Sequence, residues 1–203
     1  MTSRAAVRNA FKPKPTVSFE EFLELTTDQH AEWVEGEILP MAAVSIEHTQ
    51  ITAFLLALIR AYVEEHDLGM VAFDPFVMKT GPDLPARAPD IMFIAKANLG
   101  RLRDMYLEGP ADLVVEVVSR GSRTRDRVHK FAEYETGGVA EYWVVDPKRR
   151  WAAFYLRDAE GRYRAQEPTD GKIQSDVLPR FWIRREWIWE RPRVAEALAE
   201  IGR

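Results

Sequence analysis

Two short apolar runs, each carrying one carboxylate, constrain this chain more than any other feature. The first reads Ala-Pro-Asp-Ile-Met-Phe-Ile over residues 88–94, and the second reads Asp-Leu-Val-Val-Glu-Val-Val-Ser over residues 112–119. Both are short, rich in β-branched residues and bounded by Pro or Gly, the pattern of a buried strand. A carboxylate in such a run is costly unless it is paired or binds a cation. Asp90 and Glu116 are therefore candidate site residues. Lys130, on a helix that follows, is the candidate third member.

The rest of the chain predicts helices mixed with strands. Ser18-Phe-Glu-Glu21 is a capping box that opens a short helix through Phe22 and Leu25. Residues 33–41 alternate partly and break at Gly36, which predicts two short strands around a turn. Ile51, Phe54, Leu55, Leu58, Ile59 and Tyr62 recur at helical spacing, so a long amphipathic helix should end near Gly69. Residues 71–79 read as one strand and residues 81–85 as a loop. A helix capped by Ser122 or Thr124 should run to Gly137. Strands follow at residues 141–145, 151–156 and 163–165, then an aromatic segment with Trp182, Trp187 and Trp189, then a helix over residues 194–201. This predicts a flexible N-terminal arm over residues 1–16 and a single α/β (α+β) domain over residues 17–203.

Composition excludes several chemistries. The 203 residues include no cysteine, so disulfides, thiolate zinc sites and cysteine nucleophiles are ruled out. That absence fits a reducing compartment, and a cytoplasmic location is the expectation. No apolar stretch is long enough to span a bilayer. The formal net charge of −4 gives no global pull toward nucleic acid, so any attraction to phosphate must be local. The segment over residues 119–127 supplies such a patch, with Arg120, Arg123, Arg125 and Arg127 as candidate phosphate contacts. A solvated charge run is the plainer reading of the same residues.

Hard divalent cations such as Mg²⁺ take oxygen ligands, usually one or two carboxylates plus waters and substrate phosphate. Asp90 and Glu116 can supply the carboxylates if their strands are neighbours, and the Val117 carbonyl can supply a third oxygen. Such a cation would polarise a phosphate and lower the pKa of a bound water, with Lys130 beside the reacting phosphate as a point charge. The plainer reading is a buried ion pair between Glu116 and Lys130 or an arginine. On the helix, Asp126, Lys130 and Tyr134 share a face at four-residue spacing, and Val128, Phe131 and Ala132 read as its core stripe. A surface salt bridge between Asp126 and Lys130 would also explain that pattern.

The residues also resemble a family. The strings are Pro89-Asp90, Glu116-Val-Val-Ser119, Asp126-x-x-x-Lys130-x-x-x-Tyr134 and Gly138-Val139-x-Glu141-Tyr142-Trp143-Val-Val-Asp146-Pro147. Upstream, Glu32-Trp-Val-Glu-Gly36-Glu-Ile and Ser45-x-x-His48 extend the likeness. Together they resemble the Uma-two family of restriction endonuclease-like proteins, within the PD-(D/E)xK nuclease superfamily, over roughly residues 18–190. The resemblance implies a central mixed sheet flanked by helices. It implies that Asp90 is the acid of the PD motif, Glu116 the acid of the ExK motif and Glu32 an upstream acid of the same metal cluster. The superfamily's usual lysine would fall at Val118, and Lys130 takes its place from the next helix. His48, Asp126 and Tyr134 would line the site. The implied function is Mg²⁺-dependent endonuclease hydrolysis of DNA, with Mn²⁺ able to substitute and a homodimer able to cut both strands. Two alternatives stay open: a non-catalytic module binding nucleic acid or protein, and a hydrolase of small phosphate esters.

Overall fold

The first helix among the described residues, α1 (Phe19–Leu25), opens at the expected capping box. The Ser18 hydroxyl accepts from the Glu21 N–H at 3.1 Å, and the Glu21 carboxylate accepts from the Ser18 N–H at 2.7 Å. The computed structural model describes residues 16–26, 29–41, 43–119 and 124–202, without the side chains of residues 124–127. Residues 1–15 of the expected arm therefore lie outside the described residues. So do Arg120, Arg123, the candidate cap Ser122, and the side chains of Arg125, Asp126 and Arg127.

After α1 come β1 (Ala31–Val34), β2 (Glu37–Pro40), α2 (Ile46–Glu65), β3 (Gly69–Phe73), β4 (Val77–Lys79), β5 (Ala86–Arg87) and β6 (Ile91–Ala95). A 3₁₀ turn (Lys96–Arg101), β7 (Tyr106–Glu108), β8 (Leu113–Val117), α3 (Thr124–Gly137), β9 (Glu141–Asp146), β10 (Trp151–Arg157) and β11 (Tyr163–Ala165) follow. The chain ends with β12 (Lys172–Gln174), β13 (Trp182–Arg184), α4 (Trp187–Glu190) and α5 (Val194–Ile201).

The strands form a six-stranded sheet in the order β11-β10-β9-β8-β6-β3 and a five-stranded sheet in the order β2-β1-β5-β4-β7. β12 and β13 pair separately. In the larger sheet only β8 and β9 run parallel. Such a parallel pair needs a crossover, and α3 provides it. The fold is thus the expected mixed α/β architecture, with a second sheet beside the first. Residues 71–79 are two strands in different sheets rather than one. The break falls at Pro75, which has no N–H to continue a ladder.

Period-2 alternation sorts the large sheet's side chains. Ile91, Phe93, Leu113, Val115, Val117, Trp143 and Val145 pack on one face with Ile51, Leu55, Leu58 and Ile59 of α2. Met92, Ile94, Val114, Tyr142 and Val144 point to the other face, where α3 contributes Tyr134. Asp90 and Glu116 have the parity of this second set, which puts both on the α3 side. The helix is rotated from the expected stripe: Val128 is 57% exposed and Ala132 is exposed too. Its inner face is instead Lys130, Phe131 and Tyr134. Phe131 sits among Tyr142, Tyr155 and Tyr163, with ring centroids 4.9–6.4 Å away. An aromatic cluster of that size offers more apolar contact than Val128 could, and it sets the roll of the helix.

Candidate active site

β6 and β8 run antiparallel with Ile91 opposite Val115. One step further along that register places Asp90 opposite Glu116 on one face, a cross-strand pair of like charges. The Val117 N–H donates to Asp90 Oδ2 at 2.6 Å, and His48 Nε2 lies 3.2 Å from Asp90 Oδ1. Glu116 receives Lys130 Nζ at 3.0 and 3.1 Å, and the Tyr134 hydroxyl donates to its Oε1 at 2.6 Å.

The second sheet brings Glu32 by the same logic. β1 and β5 are antiparallel with Trp33 opposite Ala86, so Glu32 falls opposite Arg87. Arg87 donates to Glu32 Oε2 at 2.7 Å and grips both oxygens of Glu133 at 2.7 and 2.8 Å. Glu32 Oε1 lies 3.0 Å from Lys130 Nζ, an ion pair by distance that lacks hydrogen-bond alignment. Lys130 therefore sits, buried, between carboxylates from two sheets; the side chain of Asp126, its other candidate partner, lies outside the described residues. The four side chains Glu32, Asp90, Glu116 and Lys130 are each 9–13% exposed.

Burial and neighbours set the charge states. Glu116 is pushed up to about 7 by burial, with Lys130 opposing and the Asp90 and Glu32 charges adding to the rise. For Glu32, burial acts upward, but the Lys130 and Arg87 charges more than offset it and hold the carboxyl below its usual range. Burial lowers His48. Its hydrogen bond and charge interaction with Asp90, the Glu116 charge and the Val117 backbone raise it by more. Tyr134 is pushed well above the usual phenol range by burial and by the Glu116 and Glu32 charges. It therefore stays a neutral donor.

Glu32, His48, Asp90, Glu116 and Lys130 line a cavity of about 1450 Å³, whose apolar wall includes Leu39, Val44 and Phe73; Tyr134, expected to line the site, is buried and reaches it only through Glu116. Residue-level reading missed three members. Buried Arg87 holds Glu32 and is itself held by part-buried Glu133, and Asp74 lines the same cavity with a buried Oδ1 that has no hydrogen-bond partner among the described residues. The signal for Arg87 is the string Ala-Arg-Ala-Pro-Asp90, a cation inside a small-residue stretch three positions before the acid. Glu133 and Asp74 carry no such signal, because single acids on a helix and before a proline are commonplace.

The donors are hard oxygens, which suits a hard cation. The opposed Asp90 and Glu116 carboxylates, with the Val117 carbonyl between their strands, form a set of that kind. Among the described residues no three His, Asp or Glu side chains converge tightly enough to grip a cation by themselves.

None of the curated proteins compared matches the chain. A crystal structure described as "a putative nuclease belonging to DUF820", from Anabaena variabilis, has the same fold. Its TM-score is 0.70 at 15% identity, over 86% of this chain and 98% of that one. The Uma2 family model, described as "Putative restriction endonuclease", matches residues 19–186, a span that holds Glu32, Asp90, Glu116 and Lys130, and the chain belongs to that family.

Proposed function

We propose that this chain is a metal-dependent endonuclease that hydrolyses DNA phosphodiester bonds, with Mg²⁺ as its ion and Mn²⁺ able to replace it. The observation that carries this reading is the pair of carboxylates, buried Glu116 and part-buried Asp90, opposed across β6 and β8. Like charges facing each other in a strand pair destabilise it unless a cation lies between them. Asp90, Glu116 and the Val117 carbonyl would hold that cation, and Glu32 Oε1 is a further oxygen on the same cavity. When bound, the ion supplies Lewis-acid polarisation of the phosphate and a more acidic water.

The chain's own groups account for the rest. Lys130 holds a positive charge at the cavity, fixed from two sides by Glu32 and Glu116, where charge accumulates on a reacting phosphate. Tyr134 donates to Glu116 and limits its rotation. Arg87 fixes Glu32, and through it the position of Lys130. The arginines of residues 120–127 follow directly on Ser119, which lines the cavity, and would contact the DNA backbone. Cutting both strands needs two copies of this single site or a second binding event, and a homodimer would supply the first.

A second reading has its own observation. Glu116 is already satisfied by Lys130 and Tyr134, as a non-catalytic module would leave it. Plasmid nicking separates the two. Wild-type protein should nick in Mg²⁺ or Mn²⁺ and not in a chelator, and both Asp90→Ala and Glu116→Gln should lower the rate at least about 100-fold. Nicking that survives in either variant removes the site from the reaction. No nicking by the wild type under any metal condition favours the non-catalytic module.

A further inference from the structure

His48 touches the site without any role assigned to it so far. It lies in the first turn of α2, where the Ser45 hydroxyl accepts from the His48 N–H at 3.2 Å and fixes the backbone there. Its side chain is 7% exposed. One ring nitrogen, Nε2, lies 3.2 Å from Asp90 Oδ1, while the other, Nδ1, is buried with no hydrogen-bond partner. A neutral imidazole has one donor and one acceptor nitrogen. A proton on Nε2 meets the Asp90 carboxylate, whereas a proton on Nδ1 would leave a buried donor unpaired and turn an imidazole lone pair toward an anion. The Nε2–H form is favoured on both counts.

We propose that His48 is the positioning residue for Asp90: its Nε2–H holds Oδ1 while the Val117 N–H holds Oδ2. Two donors from different elements, one from a helix and one from a strand, lock the rotation of the carboxylate. Each oxygen keeps a lone pair for a cation. Outer partners of this kind set the orientation of a ligand before the metal arrives, and losing one commonly weakens metal binding 10–100-fold, roughly. This rests on the reading of Asp90 as a metal ligand. It adds that the carboxylate is pre-set by α2, an element that contributes no candidate ligand of its own.

Two measurements test it. Long-range ¹H–¹⁵N correlation on the metal-free wild-type protein, at a pH where the ring is neutral, should show His48 protonated on Nε2. Protonation on Nδ1 overturns the proposal whether or not the protein binds metal. Calorimetry with Mn²⁺ alone then compares wild type, His48→Leu and His48→Gln. Gln places an amide N–H near the position of Nε2, so it should bind within about threefold of wild type, while Leu should bind at least tenfold more weakly. Equal affinity in all three proteins overturns the proposal, and so does Gln falling as far as Leu. If Leu does not fold, Gln against wild type still decides. Absence of Mn²⁺ binding by the wild type counts against the metal reading of Asp90, and the tautomer then decides alone whether His48 holds that residue.

Discussion

Lys130 and Arg87 are both buried cations, and they differ in what surrounds them. Arg87 is tied on two sides: its guanidinium donates to Glu32 and to both oxygens of Glu133. Removing one member of such a network strands the others, so Arg87→Met should cost about 3–5 kcal/mol of folding stability, read from urea unfolding. A loss under 1 kcal/mol would mean water repairs the gap. Lys130 instead faces the cavity between two carboxylates. Lys130→Met should lower cleavage about 100-fold or more while leaving Mn²⁺ affinity within about threefold. Parallel loss of both would make the lysine a structural tie. Sequence made Asp90 and Glu116 legible, since Glu116 is the single charge of the apolar β8 and Asp90 directly precedes the apolar β6. Arg87 was hidden by a strand of two residues, too short for any alternation to show.

Strand β9 carries a different buried acid. Glu141 Oε2 accepts from the Ser175 hydroxyl at 2.7 Å and from the Asp176 and Val177 N–H groups, and Oε1 accepts from Trp143 Nε1 at 2.7 Å. It ties the start of β9 to the turn before β13. Burial pushes its carboxyl up to about 7, with those hydrogen bonds opposing. A folded-state value above the ordinary one means the folded protein holds this proton more tightly than the unfolded chain does. Its stabilising contribution is complete below about 4.5 and is lost as pH rises through about 7. Urea midpoints should therefore fall between pH 5 and pH 8 in the wild type, and Glu141→Gln should show a shallower fall. Identical slopes in the two proteins would rule Glu141 out as the titrating group. α2 was readable because its apolar residues repeat the helical spacing over its length, and β6 and β8 because each is a short apolar run rich in β-branched residues. Of the second sheet, the expected β1–β2 hairpin was readable and the rest was not, because β4, β5 and β7 are two or three residues long and draw their pairing from distant partners. The roll of α3 was misread for a related reason: Phe131 answers to tyrosines on β9, β10 and β11, which no local spacing reveals.

Taken together, the charges of the molecule leave it poorly suited to hold a polyanion by its cavity alone. The formal net charge is −4, and among the described residues the cavity lining carries Glu32, Glu35, Glu37, Asp74, Asp90, Glu116 and Glu133 against Arg87 and Lys130. On the proposed reading, affinity for DNA would come from cations in the site and from the arginine segment that follows Ser119 in the sequence. Replacing Arg123 and Arg125 with Gln should weaken DNA binding and reduce the slope of log affinity against log salt by about 2, close to one unit per lost phosphate contact. An unchanged slope would mean the segment does not touch the backbone. The same balance makes the cation the centre of the account. Calorimetric titration of Mn²⁺ at pH 8, above the value to which burial pushes Glu116, tests it most directly in wild type and Asp90→Asn. Binding by the wild type, weakened at least tenfold in Asp90→Asn, is the predicted result. Equal binding by the two proteins, or none by the wild type, would contradict it and leave Asp90 and Glu116 as members of a structural charge network.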